Sequence, residues 1–167
     1  MKLIDSDNVI LKTRAEDWVF ENEEHVKQAQ EIEAALIAVM TGKNAIGLAA
    51  NQVGILKRVF VISLSNGDKV GMFNPEIISA SQDKVDGEEG CLSFPNLWLK
   101  VSRPATVNAK YLDSSGKECI IDLKGIDARC FLHELDHLNG ICFTDNVSQL
   151  KLAMAIKKQR KLNGRTK

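Results

Sequence analysis

The run Phe131-Leu132-His133-Glu134-Leu135-Asp136-His137-Leu138-Asn139-Gly140 restricts this chain more than any other stretch. It holds a His-Glu-x-x-His pattern with a glycine stop just beyond it. On an α-helix, residues four apart project from one face, so the rings of His133 and His137 stand one above the other and can share a metal ion. Glu134 lies about 100° further round the axis. It is poorly placed as a third ligand and well placed to take a proton from water that a metal activates. The alternative is a pair of histidines satisfied by local hydrogen bonds on a buried helix. The helix is expected over about 125–139. Ile126, Cys130, His133 and His137 fall on one face, and Phe131, Leu135 and Leu138 on another. A helix apolar on more than one side belongs in the middle of a domain.

The rest of the chain supplies material to surround it. Val26, Ala29, Ile32, Leu36 and Met40 recur at helical spacing and predict a long amphipathic helix over 21–40. Glu21, Glu23 and Glu24 at its start suit the helix dipole, and Gly42 is the expected C-cap. Strands are expected at 59–62, 70–75, 76–80, 99–101, 106–112 and 119–123, with a bend at Asn74-Pro75 and turns at 65–68 and 113–116. Turns this short indicate antiparallel pairing. Residues 141–144 read as a closing strand and 147–162 as a short helix. The fold class is therefore α+β: antiparallel β-sheets packed around a central buried helix carrying HExxH, with a long N-terminal helix and a short C-terminal one. Neither repeats nor linker-like tracts interrupt the 167 residues, so one domain over 1–167 is expected.

Lys+Arg and Asp+Glu are 22 each. That balance gives no reason to expect DNA or a membrane as partner. The basic residues Lys157, Lys158, Arg160, Lys161, Arg165 and Lys167 at the C-terminal end form either a solvated surface or an RNA or ribosome contact. The first residues lack the apolar core of a signal peptide, and the apolar run 34–40 is too short to span a bilayer, so a cytoplasmic location is expected. In that reducing setting Cys91, Cys119, Cys130 and Cys142 read as thiols or metal ligands, not disulfides.

A catalytic metal site of this type takes three protein ligands and leaves one position open. His25 is the only other histidine and sits on the polar side of the first helix; beyond Gly140, Asp145 is the only acid. Cys91, in a loop at the end of strands, is the strongest candidate for the third ligand, since thiolate and imidazole together suit zinc and ferrous iron. Its alternative is a small buried apolar residue. The small-residue stretch 44–54 lets a ligand or another chain approach the backbone, with Gln52 its one side chain that both donates and accepts strongly; otherwise it is a tight loop.

Three segments together resemble the peptide deformylase family: Ala45-Ile46-Gly47-Leu48-Ala49-Ala50-Asn51-Gln52, Glu89-Gly90-Cys91-Leu92-Ser93 and His133-Glu134-Leu135-Asp136-His137. The resemblance covers almost the whole chain. It implies a metal-dependent hydrolase that removes the formyl group from the N-terminal formyl-methionine of new polypeptides and releases formate. Cys91, His133 and His137 would hold one divalent ion per chain, Fe²⁺ natively, with Zn²⁺ or Ni²⁺ able to occupy the site. Glu134 would move protons, and the Gln52 side chain and the Leu92 amide would stabilise the oxyanion. Gly87, Ile126, Arg129, Cys130 and the edge of His133 match the methionine pocket. Ile46, Gly47 and Gly90 match backbone positions that pair with an extended peptide. Arg129 is expected to line the wall with its stem and send its head to solvent, and Glu89 to pair with Arg103.

Ala45 stands where the family has its first glycine, Leu132 where a glutamine is common, and Trp98 where an arginine is often found. A divergent or phage-encoded member would fit these departures. Two rivals remain: a zinc peptidase whose third ligand is not cysteine, and a ribosome-associated module with a structural metal.

Overall fold

The computed structural model describes residues 1–163. Helix α1 (Glu23–Gly42) starts at Asn22, whose side chain accepts from the His25 amide at 3.0 Å, and carries Glu23 and Glu24 in its first turn. Gly42 is its last helical residue; Lys43 caps it and Asn44 takes the left-handed φ of 52°. Strand β1 (Gly47–Ala49) runs into a 3₁₀ turn, Ala50–Val53, so the stretch 44–54 is more than a loop. Then follow β2 (Val59–Ser63), β3 (Lys69–Ala80), β4 (Lys84–Cys91), β5 (Phe94–Pro104), β6 (Thr106–Leu112), β7 (Glu118–Lys124), α2 (Gly125–Leu138) and α3 (Gln149–Asn163). The sheet order is β1-β2-β3-β6-β7, antiparallel throughout, and β4-β5 form a separate hairpin.

Strand β2 is apolar at successive positions because both of its faces are covered. Phe60 and Ile62 pack with Phe131, Leu135 and Leu138 of α2. Val59 and Val61 point the other way, onto Ala29, Ile32, Leu36 and Met40 of α1. The hairpin alternates instead. Leu97, Leu99 and Val101 turn inward onto Phe143 and the α3 residues Leu152, Ala155 and Ile156, while Trp98, Lys100 and Ser102 face out. Helix α2 lies between sheet and hairpin, which is why it is buried on more than one side.

Three local expectations are corrected. Residues 70–75 and 76–80 form one strand, β3, bent where Asn74 takes a φ of 48° and the pairing with β6 shifts register. The Asn74 side chain holds that bend by accepting from the Trp18 amide at 2.7 Å and donating to its carbonyl at 2.8 Å. Cys91 is not in a loop but ends β4, beside the two-residue turn Leu92-Ser93. Residues 141–144 form no strand. The Asp145 carboxylate accepts from the Cys142 amide at 2.8 Å and pairs with Lys12, which curls the chain into the 3₁₀ turn Phe143–Asn146. Among the described residues, no helix is long and apolar enough to cross a membrane. Lys157, Lys158, Arg160 and Lys161 are exposed on α3; Arg165 and Lys167 lie outside the described residues.

Candidate active site

The end of β4 meets the middle of α2. There one donor atom each from Cys91, His133 and His137 lies within 4.8 Å of the others. Cys91 Sγ is 3.2 Å from His137 Nε2, and the two imidazole rings are 5.0 Å apart, inclined at 73°. Glu89 lies two residues before Cys91 on the same strand and so on the same face. Its Oε2 bonds His133 Nδ1 at 3.0 Å, which fixes the ring and leaves Nε2 for the cluster. Glu89 is itself gripped. Arg103 donates to both its oxygens, at 2.9 and 3.0 Å, and Arg129 to Oε1 at 2.8 Å. Arg103 also donates to Asp136 of α2 at 2.5 Å, so one guanidinium ties hairpin to helix. The Glu89–Arg103 pair expected from the sequence is thus present, within a larger network.

The charges follow from these contacts. Burial pulls the Glu89 carboxyl up, but His133 and Arg103 outweigh it and hold the group down at about 2. Burial disfavours a charged His133, but the bonds to Cys91 and Glu89 prevail and push it up to about 10. Burial, with the charge of His133 beside it, drives His137 well below its usual range. Burial also pushes Glu134 up to about 7, opposed by His133 and reinforced by Glu89.

Glu134 sits against β1. A side chain at Gly47 would collide with its Oε1 and with Cys130 Sγ, so glycine is required there for the carboxylate to lie where it does. Among the described residues, nothing bonds the buried Glu134 Oε2. Gln52 accepts from the Ala49 amide at 2.9 Å, which turns its NH₂ towards Cys91 Sγ at 3.3 Å and Ser93 Oγ at 3.2 Å. Asn51 Nδ2 donates to the His137 carbonyl at 2.6 Å and ties this turn to α2.

A cavity of about 570 Å³ opens over these groups, lined by Ile46, Gly47, Gly90, Leu92, Ile126 and Cys130 among others. A larger groove of about 790 Å³ runs beside α1 past Trp18 and Ile55, but the only cluster of metal-ligating donors among the described residues is the one under the smaller cavity. Arg129 lines the cavity, yet its head does not reach solvent as expected. It donates to Glu89, to the Val101 carbonyl at 2.9 Å and to the Val85 carbonyl at 2.6 Å. Its guanidinium lies flat against Gly87, and Gly87 is kept out of the cavity lining.

Residues 1–153 match the polypeptide deformylase family. The chain belongs to the peptide deformylase family. A peptide deformylase of Mesorhizobium japonicum is 43% identical over 131 residues, 76% of this chain and 74% of that protein. One of Treponema pallidum is 40% identical, over 78% and 80% of the two chains. Among solved structures, a Legionella pneumophila peptide deformylase superposes with a TM-score of 0.87 at 32% identity, covering 99% of this chain and 96% of that one. A Synechococcus elongatus peptide deformylase in complex with actinonin gives 0.85 at 35% identity, over 95% and 85%. Peptide deformylases remove the N-formyl group from nascent polypeptides in a metal-dependent reaction, and this chain is such an enzyme.

Three contacts of the candidate site were not foreseen from the sequence: Glu89 on His133, Ser93 on Gln52, and Asn51 on the His137 carbonyl. For Glu89 a signal existed, because strand alternation sets residues 89 and 91 on one face. For Ser93 and Asn51 the sequence carried none.

Proposed function

We propose that Cys91, His133 and His137 hold one divalent ion, and that Glu134, Gln52 and Leu92 carry the deformylation around it. The observation that carries this reading is the convergence of one sulfur and two imidazoles beside an unpartnered carboxylate oxygen, beneath an open cavity. The donor set fits the group: one thiolate and two imidazoles suit Fe²⁺, Zn²⁺ or Ni²⁺, and Fe²⁺ is the proposed native ion. Three clustered donors also match a catalytic site, where a structural one is closed by four. When bound, the ion supplies a Lewis acid that makes water a nucleophile near neutral pH.

The chain's own groups do the rest. His133 gives up its proton to serve as ligand, with Glu89 holding its far nitrogen. Glu134, pushed up to about 7, accepts a proton from the attacking water and returns it to the leaving amine. The Gln52 NH₂ and the Leu92 amide donate to the formyl oxygen as it gains negative charge. Ile126, Cys130, the stem of Arg129 and the edge of His133 enclose the methionine side chain. Gly87 shapes that pocket from behind by giving the guanidinium room.

Among the described residues, strand β1 pairs only with β2, and β4 only with β5, so each keeps a free edge. Ile46, Gly47 and Gly90 sit at these edges beside the cavity, where an extended peptide can add as a strand with little reading of sequence. Residues 1–167 act as one catalytic domain in the cytoplasm, on nascent chains, with the basic face of α3 available to the ribosome and no DNA or membrane partner.

The test is formate release from formyl-Met-Ala-Ser by anaerobically prepared protein, with metal analysis of the same sample. About one ion per chain is expected. Glu134→Gln keeps the ion and loses about 10²–10⁴ in rate. Full activity in Glu134→Gln, or internal peptide-bond cleavage in place of formate, overturns the assignment.

A further inference from the structure

We infer that Trp98 reads the second residue of the substrate, the one after the methionine, and favours a large apolar or aromatic side chain there. The inference rests on the deformylase reading of the cavity. Trp98 is 64% exposed, an unusual position for an indole, and it lines the cavity mouth. Its place on β5 is directly across from Gly90 on β4. Built onto Gly90, a Cβ would lie 3.0 Å from Cη2 and Cζ3 of the indole. These are atoms of its six-membered ring, far from the backbone. The ring therefore reaches from β5 across the bare Cα of Gly90 towards the free edge of β4.

Strand geometry says which substrate residue meets it. The methionine pocket lies on the inner face of the hairpin, against Ile126 and Cys130 of α2. On that face Glu89 and Leu99 are buried, whereas Trp98 and Lys100 point outward. A peptide added along β4 alternates its side chains. If the methionine points in, its neighbour points out, onto the face that Trp98 covers. An indole offers that side chain a flat apolar surface and a favourable ring contact. No side chain at position 90 stands between the two.

The test compares kcat/KM for formyl-Met-Phe-Ser and formyl-Met-Gly-Ser in three proteins. In the wild type the phenylalanine substrate is favoured about fivefold. In Trp98→Ala the ratio falls to about one, and in Trp98→Phe part of it survives. If Trp98 only covers Gly90, Trp98→Ala lowers both rates together and leaves the ratio unchanged, which overturns the proposal. A wild-type ratio near one overturns it without any variant. If neither substrate yields formate, the enzymatic reading itself fails and takes the proposal with it.

Discussion

At the floor of the cleft, several side chains at the donor cluster are held from behind. His133 leans on Glu89, Glu89 on Arg103 and Arg129, Arg103 on Asp136, and Gln52 on the Ala49 amide and Ser93. At the rim, Ile46, Trp98 and Ile126 stand exposed, and among the described residues β1 and β4 keep unpaired edges. The contrast follows from what each part has to do. Charge develops in the same place in every turnover, so the groups that meet it gain from being fixed beforehand. Beyond the methionine, nascent chains differ in sequence. Backbone pairing with a few half-exposed apolar contacts accepts that variety. Substitutions at the floor should therefore be costly, and those at the rim cheap.

The largest effect is expected at Cys91. Cys91→Ala removes the one donor of the cluster that the hairpin contributes and leaves two imidazoles on a single helix. Bound metal and formate release should both fall, the rate by about a thousandfold or more. Retained metal with near-normal activity would show that the floor is less constrained than its contacts imply. Gln52→Ala comes next, with a loss of about 10²–10³ in kcat and unchanged metal content. Loss of metal from that variant would mean that Gln52 acts through the Cys91 turn, not on the oxyanion.

Glu89→Gln tests the layer behind the donor cluster. Metal affinity should drop about 10–100-fold, because His133 loses the carboxylate that orients it. Breaking a buried ion pair also costs stability, here about 3 kcal/mol by denaturant titration of the metal-free protein. The pH dependence has a defined sign. Glu89 is held at about 2 against an ordinary 4.5, so its contribution is complete above pH 4.5 and is lost as pH falls from there to about 2. The wild type should show that decline, and Glu89→Gln should lack it.

The sequence was most informative where chemistry depends on local periodicity. The i, i+4 histidines and the α1 stripe each follow from the repeat of one element. It was least informative where a partner comes from far along the chain. Glu89 meets its partners 14, 40 and 44 residues away, and no local pattern names them. The bend in β3 depends likewise on Asn74 bonding the Trp18 backbone, 56 residues distant. Residues 141–144 failed as a strand for a related reason. Their apolar pattern was strand-like, but Asp145 captured the Cys142 amide and Lys12 anchored Asp145 from across the molecule. Arg129 was misplaced because the bare surface of Gly87 and the carbonyls of Val85 and Val101 are visible only once the hairpin is folded.

The smallest effect is expected at Ile126, and it is the closest test of the rim. Ile126 sits in the first turn of α2, four residues before Cys130, and is 54% exposed at the cavity. Truncation to alanine removes only the apolar area that a bound methionine would cover. That is worth about 1 kcal/mol, or roughly fivefold in kcat/KM for formyl-Met-Ala-Ser. The contact is made equally before and during reaction, so the loss should fall on KM and spare kcat. Stability should change by less than about 0.5 kcal/mol, since the side chain is half in solvent already. A hundredfold loss, or one carried by kcat, would mean that Ile126 helps set the position of the reacting amide. The boundary between a rigid floor and a permissive rim would then lie one helical turn further out, between Ile126 and the substrate's second residue.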